Sequence, residues 1–143
     1  MKTTVSVPPI LLVEDNPMDL DLTLRAFSKK KLSCTFQIAR DGEEALAFFP
    51  RWEGGESLPA VILLDINMPK VNGLEVLKQI KEHPVFRHIP VVVLTSSRED
   101  RDLKTAYDLG VNSYIEKPVS FSQFIEVAEH IERYWCAFNQ RPY

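Results

Sequence analysis

The chain has 143 residues, of which 45% are hydrophobic and 26% are charged, so it can bury the core of one domain. Its 20 acidic and 17 basic residues leave a net charge of −3, which argues against a nucleic-acid-binding domain. The two cysteines, Cys34 and Cys136, are too few for a disulfide framework, and no apolar run approaches the ~20 residues of a membrane span. With no signal peptide visible, we predict a cytoplasmic protein that binds neither nucleic acid nor membrane.

Five short runs rich in apolar and β-branched residues recur along the chain and predict β-strands. They cover residues 10–13, 35–39, 60–64, 90–94 and 113–116. The first, third and fourth runs are continuously apolar, which is typical of parallel strands that are buried on both faces.

Helix signals separate these strands. Asn16 precedes Pro17 as an N-cap before a proline at the first helical position. Asp41 opens a second helix that we expect to end near Pro50, and Gly110 stands where a C-cap glycine ends a later helix. The last helix carries the clearest apolar stripe, made of Phe121, Phe124, Ile125, Ala128, Ile131 and Trp135.

Alternation of five strands with helices predicts a doubly wound α/β domain around a five-stranded parallel sheet. Right-handed crossovers bring the C-termini of the strands to one edge of such a sheet, and its ligands bind there. In the flavodoxin-like (βα)5 order 2-1-3-4-5, the first and third strands are neighbours, about 4.8 Å apart. We therefore expect the functional residues directly after the strands.

Acidic, hydroxyl and cationic residues stand at these positions. They are Glu14 and Asp15 after the first strand, Asp65 after the third, Thr95 and Ser96 after the fourth, and Lys117 and Pro118 after the fifth. Carboxylates of Asp15 and Asp65 about 4 Å apart would repel by roughly 4 kcal/mol at an effective dielectric of about 20, and a proton or a hard cation such as Mg²⁺ must relieve that repulsion. Lys117 starts two strands from Asp65, roughly 10 Å away, so only its long side chain could reach that acid. The alternative is that the acids merely cap the following helices.

Four segments resemble, in order and in spacing, the motifs of the receiver domain of two-component response regulators. They are LLVED at 11–15, LLDINMP at 63–69, LTSS at 94–97 and YIEKP at 114–118, within a resemblance that extends from about residue 10 to 131. The resemblance implies that Asp65 accepts a phosphoryl group from a histidine kinase. It also implies that Glu14, Asp15, Asp65 and the backbone carbonyl of Asn67 hold Mg²⁺. The chain would then be a phosphoacceptor that catalyses only its own phosphotransfer and dephosphorylation, not an enzyme.

The same resemblance gives roles to the residues that follow the fourth and fifth strands. Lys117 would pair with the phosphoryl oxygens, and we expect a cis Lys117–Pro118 bond that aims it. Thr95 would donate a hydrogen bond to the phosphoryl group, and the small Ser96 would leave room for that group. Asn67 and Ser97 would flank the approach of the hydrolytic water and so tune the lifetime of the phosphorylated state.

Tyr114 matches the switch aromatic of the family. A shift of Thr95 toward a phosphoryl group would vacate space that the Tyr114 ring fills. This would couple the site to the face formed by the predicted fourth helix, the fifth strand and the last helix, where a downstream protein would dock.

Softer patterns suggest a subgroup. The segments 51–59 and 86–90 and the tail at Tyr134 and Trp135 resemble stand-alone regulators that serve phytochrome-type histidine kinases. We expect one receiver domain over residues 1–143, with its core at about 10–131 and an arm at 132–143, and no separate output domain. The arm's Trp135 and Phe138 suggest a homodimer formed through the last two helices and the arm.

Three other classes share parts of this pattern. A haloacid-dehalogenase-type hydrolase would need a second acid two residues after Asp65, where Asn67 stands. A flavin-binding module would need a hydroxyl-rich phosphate loop after the first strand, where Glu14 and Asp15 would repel phosphate. A receiver-like binding module that is not phosphorylated would normally lack one of the site residues.

Overall fold

The structure is a computed structural model that describes residues 8–29, 34–68, 71–96 and 99–143. Two residues of the sequence motifs, Pro69 and Ser97, lie outside the described residues.

Five parallel strands form the centre of the fold in the order β2-β1-β3-β4-β5. They are β1 (Ile10–Val13), β2 (Phe36–Ala39), β3 (Val61–Leu64), β4 (Val91–Thr95) and β5 (Ser113–Glu116). Val13 at the end of β1 pairs with Leu64 at the end of β3, so these strands finish level with each other. The predicted flavodoxin-like order is confirmed, and each strand bound lies within one residue of the prediction.

Six α-helices connect and cover the strands in the described residues. They are α1 (Pro17–Ser28), α2 (Gly42–Leu46), α3 (Phe48–Glu53), α4 (Gly73–Glu82), α5 (Asp100–Asp108) and α6 (Phe121–Ile131), with a short 3₁₀ turn at Phe86–His88. Asn16 caps α1 as predicted, because its side-chain oxygen accepts from the N–H groups of Met18 and Asp19 at 2.9 and 3.1 Å. Gly110 follows α5 with φ +98°, the left-handed conformation expected of a C-cap glycine.

The predicted helix end near Pro50 is wrong. Pro50 lies in the first turn of α3, where its missing N–H costs no helical hydrogen bond. The helix is held by two buried aromatic residues, Phe48 and Trp52. The Trp52 ring meets that of Phe86 edge-on, with centroids 5.0 Å apart, and this tertiary packing outweighs the local breaker signal.

Two apolar clusters sandwich the sheet. The first lies on the side of α2 to α5 and contains Val13, Leu64 and Val93. The second lies on the side of α1 and α6 and contains Leu12, Leu63 and Leu94. Successive strand residues therefore point into opposite clusters, which explains why β1 and β3 are apolar throughout and β4 is apolar up to its last residue.

Beyond α6 the chain continues as a π-helix over Glu132–Phe138. The final residues fold back, and the Tyr143 hydroxyl donates to the Pro59 carbonyl at 2.8 Å. Nowhere in the described ranges is a helix long and apolar enough to cross a membrane.

Candidate functional site

Three acids meet at the carboxyl edge of the sheet. The β-ladder continues past the strands, since Glu14 N–H donates to the Ala39 carbonyl at 3.0 Å and Asp65 N–H to the Val13 carbonyl at 3.1 Å. Glu14 and Asp65 are buried, and Asp15 is half-buried. One carboxylate oxygen from each of these three acids lies within 4.8 Å of the others, so the predicted convergence is observed.

Lys117 lies in the middle of this acidic edge. Its Nζ is 2.6 Å from Glu14 Oε1, 3.0 Å from Asp19 Oδ2 and 3.3 Å from Asp65 Oδ2. The backbone N–H of Lys117 donates to the Thr95 carbonyl at 2.8 Å. This bond anchors the base of the Lys117 side chain beside β4. The long reach from the fifth strand to Asp65 is therefore observed.

The Lys117–Pro118 bond is trans, so the expected cis bond is wrong. Trans is the more stable isomer of an X–Pro bond by about 0.5–1 kcal/mol. With the trans bond, the Lys117 ammonium already reaches the carboxylates of Glu14, Asp19 and Asp65. The less stable isomer is therefore not needed to position it.

Asp65 is fixed by three donors, one from its own loop, one from β4 and one from the segment after β5. Its Oδ1 accepts from the Thr95 hydroxyl at 2.9 Å and from the Asn67 N–H at 3.0 Å, while its Oδ2 faces Lys117. Thr95 is fully buried, so its hydroxyl is held in place beside the carboxylate. Three donors from three different segments thus set the position and orientation of Asp65.

Glycine at position 73 allows this arrangement. A Cβ atom there would lie 2.4 Å from the Asp65 carbonyl oxygen and 2.5 Å from the Ile66 Cα, both backbone atoms. The start of α4 therefore packs directly against the main chain that carries Asp65, and a side chain would displace it.

Burial and neighbouring charge shift two ionisable groups of the site. Burial raises the pKa of Glu14 to about 7, and the nearby Asp65 carboxylate adds to this rise against the opposing hydrogen bond from Lys117. Burial alone would lower the pKa of Lys117, but its hydrogen bond to Glu14 and the charge of Asp65 outweigh burial and hold that pKa above its usual range. Lys117 is therefore a permanent cation, and Glu14 gains or loses a proton near neutral pH.

The other predicted residues lie around this cluster. Asn67 and Ser96 are exposed at the same edge, and Ser96 lines an open pocket of about 270 Å³ together with Lys117 and Pro118. Tyr114 lies away from the edge, half-buried in the middle of β5, and packs against the first core cluster.

The sequence reasoning missed Asp19. This residue lies in the first turn of α1, and its carboxylate is the second nearest to the Lys117 ammonium. The signal was present, because the Asn16 cap fixes the start of α1 at the sheet edge and an acid follows three residues later.

The fold, with its row of acids beside a half-buried lysine, defines a class of signalling domain. The family model of the response regulator receiver domain matches residues 10–129, and the chain belongs to this family. The probable methanogenesis regulatory protein FilR2 of Methanothrix harundinacea (strain 6Ac) is 47% identical over 134 residues, which cover 93% of this chain and 86% of that protein.

Two solved structures are similar over nearly the whole chain. The phosphorylated cyanobacterial phytochrome response regulator RcpA is 38% identical with a TM-score of 0.87, covering 96% of this chain and 99% of that chain. The Mn²⁺-bound form of response regulator Rcp1 is 36% identical with a TM-score of 0.84, covering 95% of this chain and 99% of that chain.

Proposed function

We propose that the chain is a phosphorylation-controlled response regulator in which Asp65 accepts a phosphoryl group from a phosphohistidine. The observation that carries this proposal is the environment of Asp65, whose carboxylate is held by Thr95 and Asn67 and faces the ammonium of Lys117. In the reaction, one Asp65 carboxylate oxygen forms a bond to phosphorus while the bond between phosphorus and the imidazole nitrogen breaks. The electron pair of that bond leaves with the imidazole. Phosphoryl transfer of this kind depends on positioning and charge neutralisation.

Glu14, Asp15, Asp65 and the Asn67 carbonyl are the ligands that we propose for Mg²⁺. The hard oxygen donors of the three acids and their mutual distances within 4.8 Å suit a divalent cation with an incomplete protein shell. When bound, the ion neutralises part of the charge of the transferring phosphoryl group. The similar Rcp1 has a Mn²⁺-bound form, which supports a divalent ion in this family.

Lys117 and Thr95 act on the phosphoryl group in this proposal. A phosphorylated side chain carries an added charge of about −1.5 to −2, and Lys117 already lies 3.3 Å from the accepting carboxylate. We propose that Lys117 pairs with the new oxygens and that Thr95 donates its hydroxyl to one of them. Ser96 leaves space beside the group, Ser97 tunes its lifetime, and Pro118 limits how far the backbone after Lys117 can move.

The signal passes on through the face formed by α5, β5 and α6, where α5 is the predicted fourth helix and α6 the last one. We propose that Thr95 turns from Asp65 toward the phosphoryl group and that the Tyr114 ring fills the space this opens. The moved ring would then change which surface a downstream protein, or a second copy of the chain, meets on that face. In this proposal residues 10–131 form the receiver core, and the arm at 132–143 contributes Trp135 and Phe138 to a homodimer.

We propose a histidine kinase of the phytochrome type as the partner, within the cytoplasm. Similarity to RcpA, a phytochrome response regulator, supports this partner. FilR2, which is 47% identical to this chain, is named as a probable methanogenesis regulatory protein. The hydrolase alternative lacks its second acid, because Asn67 stands two residues after Asp65.

Incubation with acetyl phosphate and Mg²⁺, followed by intact mass spectrometry, tests the proposal. We expect one adduct of about 80 Da in the wild type and none in Asp65→Asn, with adduct formation suppressed by a chelator. Glu126→Gln, which changes an exposed acid on α6, is the matched control and should label like the wild type. Labelling that persists in Asp65→Asn would overturn the proposal.

A further inference from the structure

Three carboxylates share the ammonium of Lys117, and Asp19 is the one that lies outside the proposed metal site. A lysine ammonium has three N–H donors, so each carboxylate can accept one of them. Glu14 and Asp65 also belong to the cluster of acids whose oxygens lie within 4.8 Å of one another, whereas in the described part of the chain Asp19 does not. Asp19 therefore contacts the lysine without being one of the proposed ligands.

The first turn of α1 holds Asp19 in this position. Its backbone N–H donates to the Asn16 side-chain oxygen at 3.1 Å, and its carbonyl accepts from the Thr23 hydroxyl at 2.7 Å. Thr23 and Leu20 are buried, so this turn is packed into the domain. The side chain of Asp19 is 38% exposed, and it lines the open pocket of about 270 Å³ together with Lys117. A fixed backbone thus presents this carboxylate to the ammonium at the rim of the site.

Glu14 and Asp65 cannot serve Lys117 and a divalent cation equally. Oxygens that turn toward the cation are drawn away from the lysine, and the ammonium and the cation repel each other over so short a distance. The Asp19 carboxylate is the acceptor that remains to Lys117 in that state. An ammonium held there stays close to the oxygen of Asp65 that faces it at 3.3 Å.

We propose that Asp19 is a positioning residue that keeps Lys117 in the site while Glu14 and Asp65 ligate the divalent cation. The inference rests on the proposed phosphorylation of Asp65, because the retained ammonium is the group that pairs with the phosphoryl oxygens. Asp19 acts through Lys117 and forms no bond to the phosphoryl group itself.

The opposite effect would follow if Asp19 acted only through its negative charge. Phosphoryl donors are anions, so an unpaired negative charge at the pocket would slow phosphorylation, and Asp19→Asn would make it faster. In the proposed role the same substitution slows the reaction, because Lys117 leaves the site. The direction of the change therefore separates the two explanations.

Protection of the Lys117 amine against acetylation by an N-hydroxysuccinimide ester tests the proposal without phosphorylation. Peptide mass spectrometry of the full chain measures this labelling in Mg²⁺ and in chelator. We expect Asp19→Asn to raise the labelling rate of Lys117 about three- to tenfold in Mg²⁺ and less than about twofold in chelator, where the other two carboxylates still hold the ammonium. Asp19→Glu should restore protection. Asp21→Asn, which removes an exposed acid from the same helix, is the matched control and should label like the wild type.

Phosphorylation kinetics with acetyl phosphate supply the second readout. At saturating Mg²⁺ we expect Asp19→Asn to lower the maximal rate about three- to tenfold and to change the half-saturating donor concentration by less than about twofold. Asp19→Glu should recover most of the rate, and Asp21→Asn should react like the wild type. Circular dichroism shows that each variant is folded.

Equal labelling of Lys117 in Asp19→Asn and in the wild type, with Mg²⁺ present, would overturn the proposal. A maximal rate of Asp19→Asn at or above that of the wild type would also overturn it. A wild type that is not phosphorylated at all would instead refute the proposed function, and the labelling of Lys117 would still decide the role of Asp19.

Discussion

The Glu14→Gln substitution tests the electrostatics of the acidic edge. Glu14 is 2% exposed, and burial raises the pKa of its carboxyl from 4.5 to about 7. Glutamine keeps the shape and an acceptor for the Lys117 ammonium, which lies 2.6 Å from Glu14 Oε1, but removes the charge. The variant therefore isolates the free-energy cost of a buried carboxylate.

The direction in which stability changes with pH follows from proton binding. Since the pKa of Glu14 is higher in the folded protein than in the unfolded chain, the folded state binds more protons between these values. The stabilisation that the protonated Glu14 carboxyl gives to the folded state is therefore complete below about pH 4.5 and is lost as the pH rises through about 7. Each pKa unit is worth about 1.4 kcal/mol, so the shift corresponds to about 3 kcal/mol at pH 8.

We expect Glu14→Gln to be more stable than the wild type by about 2–3 kcal/mol at about pH 8, and by less than about 1 kcal/mol at about pH 5. Urea unfolding in a chelating buffer at both pH values measures this difference. Glu126→Gln, which removes an exposed carboxylate from α6, is the control and should show no such gain. A variant that is equally stable or less stable than the wild type at pH 8 would refute the reasoning.

Three further predictions follow from the packing and the charges. Gly73→Ala should lower the unfolding free energy by about 1–3 kcal/mol, because its Cβ would lie 2.4 Å from the Asp65 carbonyl oxygen. Gly54→Ala, whose nearest neighbouring atom would be 3.3 Å away, is its control in urea unfolding, and equal effects of the two changes would contradict the argument. Lys81→Met should lower the unfolding free energy by about 1–3 kcal/mol, because the Lys81 ammonium donates to two backbone carbonyls and one amide oxygen at 3.0–3.1 Å; an unchanged melting temperature would count against this role. Mg²⁺ should bind more tightly as the pH rises, by about tenfold per unit below about pH 7, because the ion must displace the proton of Glu14. Calorimetric titration measures that affinity, and equal dissociation constants at about pH 5.5 and pH 8 would contradict it.

The positions of the strands were predictable because of how parallel sheets are built. Val61–Leu64 is apolar at every position and Val91–Thr95 at every position but the last, and both of their faces are covered by helices. Once the strands are placed, the polar residue after each one must lie at the shared edge. Asp65 and Lys117 could therefore be placed at one site from the sequence.

The features that could not be predicted depend on packing between distant parts of the chain. Asp19 reaches Lys117 only because α1 lies beside the strand ends, and Pro50 is helical because Trp52 packs against Phe86. Strand spacing predicted how far the Lys117 side chain must reach to Asp65. It did not predict that the ammonium also contacts the carboxylates of Glu14 and Asp19.

The central claim is that Asp65, among the clustered acids, carries the phosphoryl group. Hydroxylamine treatment of the phosphorylated protein converts an acyl phosphate into a hydroxamate at the same side chain, and tandem mass spectrometry of the peptides locates it. The account predicts a hydroxamate at Asp65 alone, formed only when Mg²⁺ was present during phosphorylation. A hydroxamate at Glu14, Asp15 or Asp19 with Asp65 unmodified would contradict the account.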